Sequence, residues 1–186
     1  GDLVVKDILK LADTLHRLLD LDASALDNER RAQVYRQLGY AYAEHLDQPI
    51  DAADAYRRVL ELTPGDAATL DALERLYRDE ERWENVVDVM SQRARALDEP
   101  DAKVRQWLAV ADVWSGPLAR PAGGIDAYQR VLELDPNHRV AFDRLEALLA
   151  EEARWDDLVQ LYLGRIDATG DTAERVDELL AGYLDA

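Results

Sequence analysis

The stretch Asp54-Ala55-Tyr56-Arg57-Arg58-Val59-Leu60-Glu61-Leu62-Thr63-Pro64 returns about 72 residues later as Asp126-Ala127-Tyr128-Gln129-Arg130-Val131-Leu132-Glu133-Leu134-Asp135-Pro136. A repeat of this kind is read before any single element, because each repeat is one supersecondary unit that buries its apolar face on a neighbour. The register holds without a gap in both directions. Downstream, Leu73-Glu74, Leu76, Arg82-Trp83, Val87 and Arg93 return as Leu145-Glu146, Leu148, Arg154-Trp155, Val159 and Arg165. Upstream, Leu38, Tyr42, Leu46 and Pro49 fall opposite Val110, Trp114, Leu118 and Pro121.

The apolar residues inside each copy follow helical spacing. Leu70, Leu73, Leu76 and Tyr77, then Val86, Val87 and Met90, form stripes at i, i+3, i+4 and i+7 on two helices joined by a short polar turn. A turn that short makes neighbours antiparallel. Pro64 and Pro136 each end one helix and open the next, since proline removes a donor and restricts the residue before it. Asp66 is placed to cap the helix beginning near Ala67. The pattern predicts helices over 3–20, 29–46, 50–63, 67–80, 83–97, 102–115, 122–134, 138–152, 155–168 and 172–184, with no strand.

Each long copy splits into two hairpins of roughly 34 to 38 residues. Tyr35-x2-Leu38-Gly39-x2-Tyr42, then Ala52-x3-Tyr56, then Pro64 resembles the tetratricopeptide repeat. Trp107-x2-Val110-Ala111-x2-Trp114, Gly124-x3-Tyr128 and Pro136 match again. Leu70-x2-Leu73-x3-Tyr77 with Val86-x3-Met90, and Phe142-x2-Leu145-x3-Leu149 with Leu158-x3-Tyr162, keep the spacing but lose the small residue and the closing proline. The chain is similar to a bacterial-type array of alternating strict and degenerate tetratricopeptide repeats. The resemblance implies an all-α, right-handed superhelical solenoid of antiparallel hairpins with about ten helices. Its parts are an N-terminal helix (1–28), a repeat (29–65), a degenerate repeat (66–99), a repeat (100–137), a degenerate repeat (138–170) and a C-terminal helix (171–186), together one domain over 1–186. Gly39 and Ala111 are small where two helices approach. Tyr42, Tyr56, Trp114 and Tyr128 are large where that packing leaves a hole.

Composition narrows the function. The formal net charge is −17, so phosphate backbones and anionic leaflets are repelled, and nucleic acid is not an expected partner. No window approaches the ~18 apolar residues of a membrane span. Hydrophobic content of 48% is too high for a disordered chain. Without cysteine there is no disulfide, zinc-thiolate site or thiol nucleophile, and the redox compartment stays open; the cytoplasm is the favoured expectation.

A search for chemistry returns nothing that points to an enzyme. His16, His45 and His138 lie on separate helices with no ligand spacing. Ser24, Ser91 and Ser115 sit in no nucleophile elbow, and Gly123-Gly124 lacks the Lys-Ser/Thr of a phosphate loop. Carboxylates are plentiful, but most have an arginine three or four residues away, as in Asp71 with Arg75 and Arg75 with Asp79, which reads as intrahelical pairing. Trp83 and Trp155, at the same place in two copies, read as packing residues. The stretch from Ser115 to Gly124, with two prolines and three glycines, reads as a loose hairpin loop, or alternatively one adapted to a partner. No cofactor and no metal are expected.

The resemblance also places a groove. Carried over by register, the exposed positions on the first helices are Gln33, Arg36 and Tyr40; Asp71, Arg75 and Arg78; Arg105 and Asp112; and Val140, Asp143 and the adjacent Arg144. Of these, Arg36, Tyr40, Asp71, Arg75, Arg78, Arg105, Asp112 and Arg144 are the expected partner-binding residues, because arginine offers planar paired donors and tyrosine stacks at little entropic cost. The Lys/Asn clamp that some relatives use for a peptide carboxylate is absent at Arg36, Tyr40, Ala68, Asp71 and Ala72. The expected function is a scaffold for a protein or peptide partner. The alternatives are a structural or self-assembling repeat segment, and a regulatory module of an enzyme elsewhere on a parent chain. The oligomeric state is not set by the sequence. Gly1 in place of Met, and the match of Val176-x2-Leu179-Leu180-x2-Tyr183 to a first helix with no second helix after it, lead to the expectation that the chain stops within a longer array.

Overall fold

A computed structural model describes residues 2–21 and 27–169, and these divide between two compact units, one through Ala96 and one from Leu97. The first holds α1 (Asp2–Leu21), α2 (Asn28–Glu44), α3 (Pro49–Leu62), α4 (Ala67–Asp79) and α5 (Trp83–Ala96). The second holds α6 (Pro100–Ser115), a 3-10 turn at Pro121–Gly124, α7 (Ile125–Leu134), α8 (Arg139–Glu151) and α9 (Trp155–Thr169). No strand occurs among the described residues. Nine of the expected helices are present within two or three residues at each end; the tenth, 172–184, lies outside the described residues.

In the first unit α1 packs on α2, α2 on α3, α3 on α4 and α4 on α5. The second unit repeats this order from α6 to α9. Leu38, Val59, Leu70, Leu73 and Val86 are fully enclosed in the first core, and Val110, Val131, Leu145 and Leu149 in the second. These are positions the apolar period selects. The α1 stripe is only partly covered: Ala12 and Leu15 join Leu38 and Ala55, whereas Leu11 is half exposed.

The 72-residue register reappears in the backbone. Among the described residues, the four non-glycine residues with positive φ are Asp47 and Ala119, at 52° and 50°, and Glu81 and Ala153, at 52° and 54°. The partners in each pair stand 72 positions apart. After α4 the Arg82 N–H donates to the Tyr77 carbonyl at 2.8 Å and the Glu81 N–H to that of Arg78 at 3.1 Å. After α8 the Arg154 N–H reaches the Leu149 carbonyl at 2.8 Å, and the Ala153 N–H that of Ala150 at 3.1 Å. Both ends are Schellman motifs, in which one left-handed residue lets the last carbonyls find donors. Here Glu and Ala occupy the position that glycine usually holds.

Helix starts repeat with different chemistry. The Asp66 carboxylate accepts from the Thr69 N–H at 2.8 Å, the expected cap of α4. At the matching place in the second unit, His138 Nδ1 accepts from the Ala141 N–H at 3.2 Å. So His138 is a helix cap rather than an idle surface residue.

Two expectations are corrected. The segment after α6 is not loose: the Leu118 N–H binds the Val113 carbonyl at 3.1 Å and the Arg120 N–H binds that of Trp114 at 2.8 Å. A Cβ on Gly123 would stand 2.3 Å from the Trp114 ring, so only glycine fits against it. Trp155 is half exposed, and its counterpart Trp83 is only partly buried, so the repeated tryptophan is not a core residue.

Candidate functional site

In the first unit one residue expected to face a groove, Arg75, lines a cavity with a buried tyrosine. Tyr56 of α3 is buried against α2 because Gly39 leaves room for its ring; a Cβ at Gly39 would stand 2.5 Å from Tyr56 Cε1. Glu44 of α2, Arg75 of α4 and the Tyr56 ring line a cavity of about 280 Å³ together with Ala72 and Asp79. Arg75 donates to Glu44, joining the first helices of two successive hairpins. Burial, and then the Glu44 carboxylate, push the Tyr56 hydroxyl above the ordinary phenol range; Arg75 opposes them, and Tyr40 adds to the rise. The phenol therefore remains a neutral donor at neutral pH.

In the second unit the matching tyrosine, Tyr128, is acted on by a different acid and base. Tyr128 is buried, and burial followed by the Asp112 carboxylate raises its hydroxyl, with Arg144 opposing. Asp112 occupies the register position of Tyr40. Of the expected residues, Arg75 lines the cavity beside Tyr56, Tyr40 adds to the rise of the Tyr56 hydroxyl, and Asp112 and Arg144 act with opposite sign on that of Tyr128. Neither tyrosine is among the residues expected from groove positions. Their recurrence in the repeat was the available signal, but it reads as packing.

The remaining expected residues are distributed differently. Arg36 reaches from α2 to Asp66 at 2.7 Å and is two-thirds covered. Burial alone would raise the Asp66 carboxyl; its contacts with Thr69 and with Arg36 outweigh that and hold it below the usual carboxylate range. Arg36 therefore secures the start of α4. Arg78 pairs with Glu74 at 2.8 Å and lies over the Trp83 ring at 5.9 Å. Asp71 pairs with Arg93 of α5 at 2.6 Å, and Arg93 also binds Glu74, tying α4 to α5. The expected pairs Asp71–Arg75 and Arg75–Asp79 are replaced by these links between helices. Tyr40 is 56% exposed and sets its edge against His45 at 5.5 Å. Arg105, Asp112 and Arg144 are exposed, and Arg105 makes no ion pair among the described residues.

In the first unit the Tyr56 phenol, the Arg75 guanidinium and the Glu44 and Asp79 carboxylates line one cavity. Among the described residues no group of three or more His, Asp or Glu could hold a metal ion. No described helix is long and apolar enough to cross a membrane.

No known family model matches the chain, and no curated protein matches it in sequence. Among solved structures it is similar to one titled "Crystal structure of MamA", at 13% identity over 84% of this chain and 85% of that one, with a TM-score of 0.42. It is also similar to "MamA RS-1 ArsTM double mutant", at 17% identity over 89% and 90% of the two chains, with a TM-score of 0.42. The structure from "Functional Characterization of Pseudomonas Aeruginosa pilF" aligns at 18% identity over 94% of this chain and 74% of that one, with a TM-score of 0.41. Likeness this distant says nothing of what the chain binds, and its architecture of antiparallel helix hairpins rests on its own geometry.

Proposed function

We propose that this chain is a tetratricopeptide-type interaction module that holds a segment of a protein partner along the first helices of its hairpins. The observation that carries the reading is the cavity of the first unit, where Arg75 of α4 and Glu44 of α2 pair beside the buried Tyr56 ring; in the second unit Asp112 and Arg144 act with opposite sign on the matching Tyr128. A neutral phenol donor beside one acid and one base suits the backbone amides and side chains of a peptide better than it suits a reaction. Arg105, exposed and without an ion pair among the described residues, adds a positive point to a chain of net charge −17. A partner segment held by the first unit is acidic or aromatic where it meets Arg75, and one held by the second is so where it meets Arg105.

The test is selection from a displayed peptide library on the full chain, followed by calorimetry of the enriched peptides. Binding is expected to weaken as salt rises, and to be lost when Arg75, Arg78 and Arg105 are replaced together by Ala. Undiminished affinity in the triple variant contradicts the reading. Arg75 and Arg78 also pair internally, so unchanged far-UV circular dichroism of the variant is the control.

A further inference from the structure

Both units carry a second concavity, lined by other residues than those around Tyr56 and Tyr128. It lies between α3, α4 and α5 in the first unit, and between α7, α8 and α9 in the second. The two are the same groove: each of the nine residues lining the first has its counterpart, 72 positions on, in the lining of the second. Leu60, Glu61 and Leu73 are kept as Leu132, Glu133 and Leu145. The volumes nevertheless differ more than twofold, about 310 Å³ against about 720 Å³.

Six of the nine lining positions differ between the copies, and three of the substitutions remove bulk from the groove. In the first unit Tyr77 is buried in the groove, its hydroxyl accepts from Arg57 Nε across the gap at 3.0 Å, and Gln92 stands on the α5 side. In the second unit these positions are Leu149, Gln129 and Gly164. A phenol becomes an isobutyl group, a guanidinium that spanned the groove becomes a shorter amide, and a side chain on the third wall disappears. The glycine is not demanded by packing, since a Cβ at Gly164 would meet nothing within 4 Å. Phe142, where the first unit has Leu70, adds an aromatic wall and carries the Arg165 guanidinium on its ring at 4.8 Å.

We infer that the groove of the second unit docks an aromatic side chain of a partner peptide, presented beside a basic residue. The first unit shows which chemistry satisfies this shape: a phenol ring seated on the conserved leucines, with a guanidinium closing over its hydroxyl. The second unit keeps the leucine floor and the acidic Glu133 but omits both fillers. The space opened beside Gln129, Leu149 and Gly164, between the Phe142 ring and the Glu133 carboxylate, suits an aromatic ring presented next to a base. A base on the partner also agrees with the net charge of −17.

The experiment uses the full chain with p-cresol and the peptide acetyl-Gly-Arg-Tyr-Gly-amide, followed by amide chemical shifts in NMR titrations. Both probes are expected to shift amides of α7, α8 and α9, and the peptide with Ala in place of Tyr is expected to bind at least ten-fold more weakly. The variant Gln129→Arg/Leu149→Tyr rebuilds the filling of the first unit and is expected to weaken both probes at least ten-fold. Gly164→Gln, which leaves the core untouched, is expected to do so in part and guards against misfolding of the double variant. Absent shifts, shifts confined to α6, or equal binding by the native chain and both variants overturn the proposal. So does binding gained only with Leu179→Asp/Leu180→Asp, which would assign the groove to the chain's own segment 172–184.

Discussion

Replacing Gly39 by Ala should destabilise the first unit although alanine is the better helix former. A Cβ at this position would lie 2.5, 2.6 and 2.8 Å from three carbons of the Tyr56 ring. Ordinary carbon contacts are about 3.5–4.0 Å, so the ring must move by roughly 1 Å. Tyr56 is only 4% exposed and has little room to do so. Overpacking of this kind costs about 1–3 kcal/mol, while replacing a helical glycine by alanine gains about 1 kcal/mol. The expected net loss is about 1 kcal/mol for Ala, and several times that for Gly39→Leu. The second unit suggests the remedy. There Ala111 stands in place of Gly39, and Gly124 in place of Ala52; a Cβ on Gly124 would reach that of Ala111 at 3.6 Å. The glycine has moved to the end of the 3-10 turn that faces α6. The double variant Gly39→Ala/Ala52→Gly should therefore lose about 1–2 kcal/mol less than the two single variants sum to, a coupling that a double-mutant cycle isolates. Urea unfolding followed by far-UV circular dichroism measures all four proteins. An unchanged or raised midpoint for Gly39→Ala, or strict additivity in the cycle, would refute the account of this interface.

Three further outcomes are expected. Asp66, held below the usual carboxylate range, stabilises the fold fully above its unfolded pKa of about 3.9, and that contribution disappears as pH falls through its folded value; Arg36→Ala should flatten this part of a stability–pH curve, and an unaltered curve counts against the pair. Glu81→Gly and Ala153→Gly should each raise stability by about 0.5–1 kcal/mol, because non-glycine residues at positive φ are strained there; a lowered melting temperature in both would contradict the Schellman assignment. His138→Asp should strengthen the start of α8 by up to about 1 kcal/mol at neutral pH by copying the Asp66 cap, as thermal melting can show.

What the sequence discloses follows from what is local. Helix positions and the enclosed core are written in the spacing of Leu38, Leu70, Leu73 and Val110, and the helix ends in Pro64, Asp66 and Pro136. The closeness of Gly39 to an aromatic is legible because a small and a large residue recur at a fixed distance. Ion pairing is not. Arg75 has Asp71 and Asp79 on its own helix, yet it meets Glu44 on α2, a choice made by the approach of two hairpins. The turns at Glu81 and Ala153 carry no glycine to announce a left-handed residue. The enlarged groove depends on Gln129, Leu149 and Gly164, one from each of three helices, and only their assembly turns three unremarkable substitutions into space. The groove residues expected from the resemblance include Arg36, which secures α4, and omit Tyr56, which lines a cavity with Arg75 only when the helices pack.

Hydrogen exchange of the full chain, bound and unbound, with a peptide enriched from the displayed library tests most directly whether the first helices are where a partner lies. Slowed exchange along α2 and α4, or along α6 and α8, at the residues flanking Tyr40, Arg75, Asp112 and Arg144, is the result the account predicts. Slowed exchange confined to α3, α5, α7 and α9, with those four residues unaffected, would contradict it.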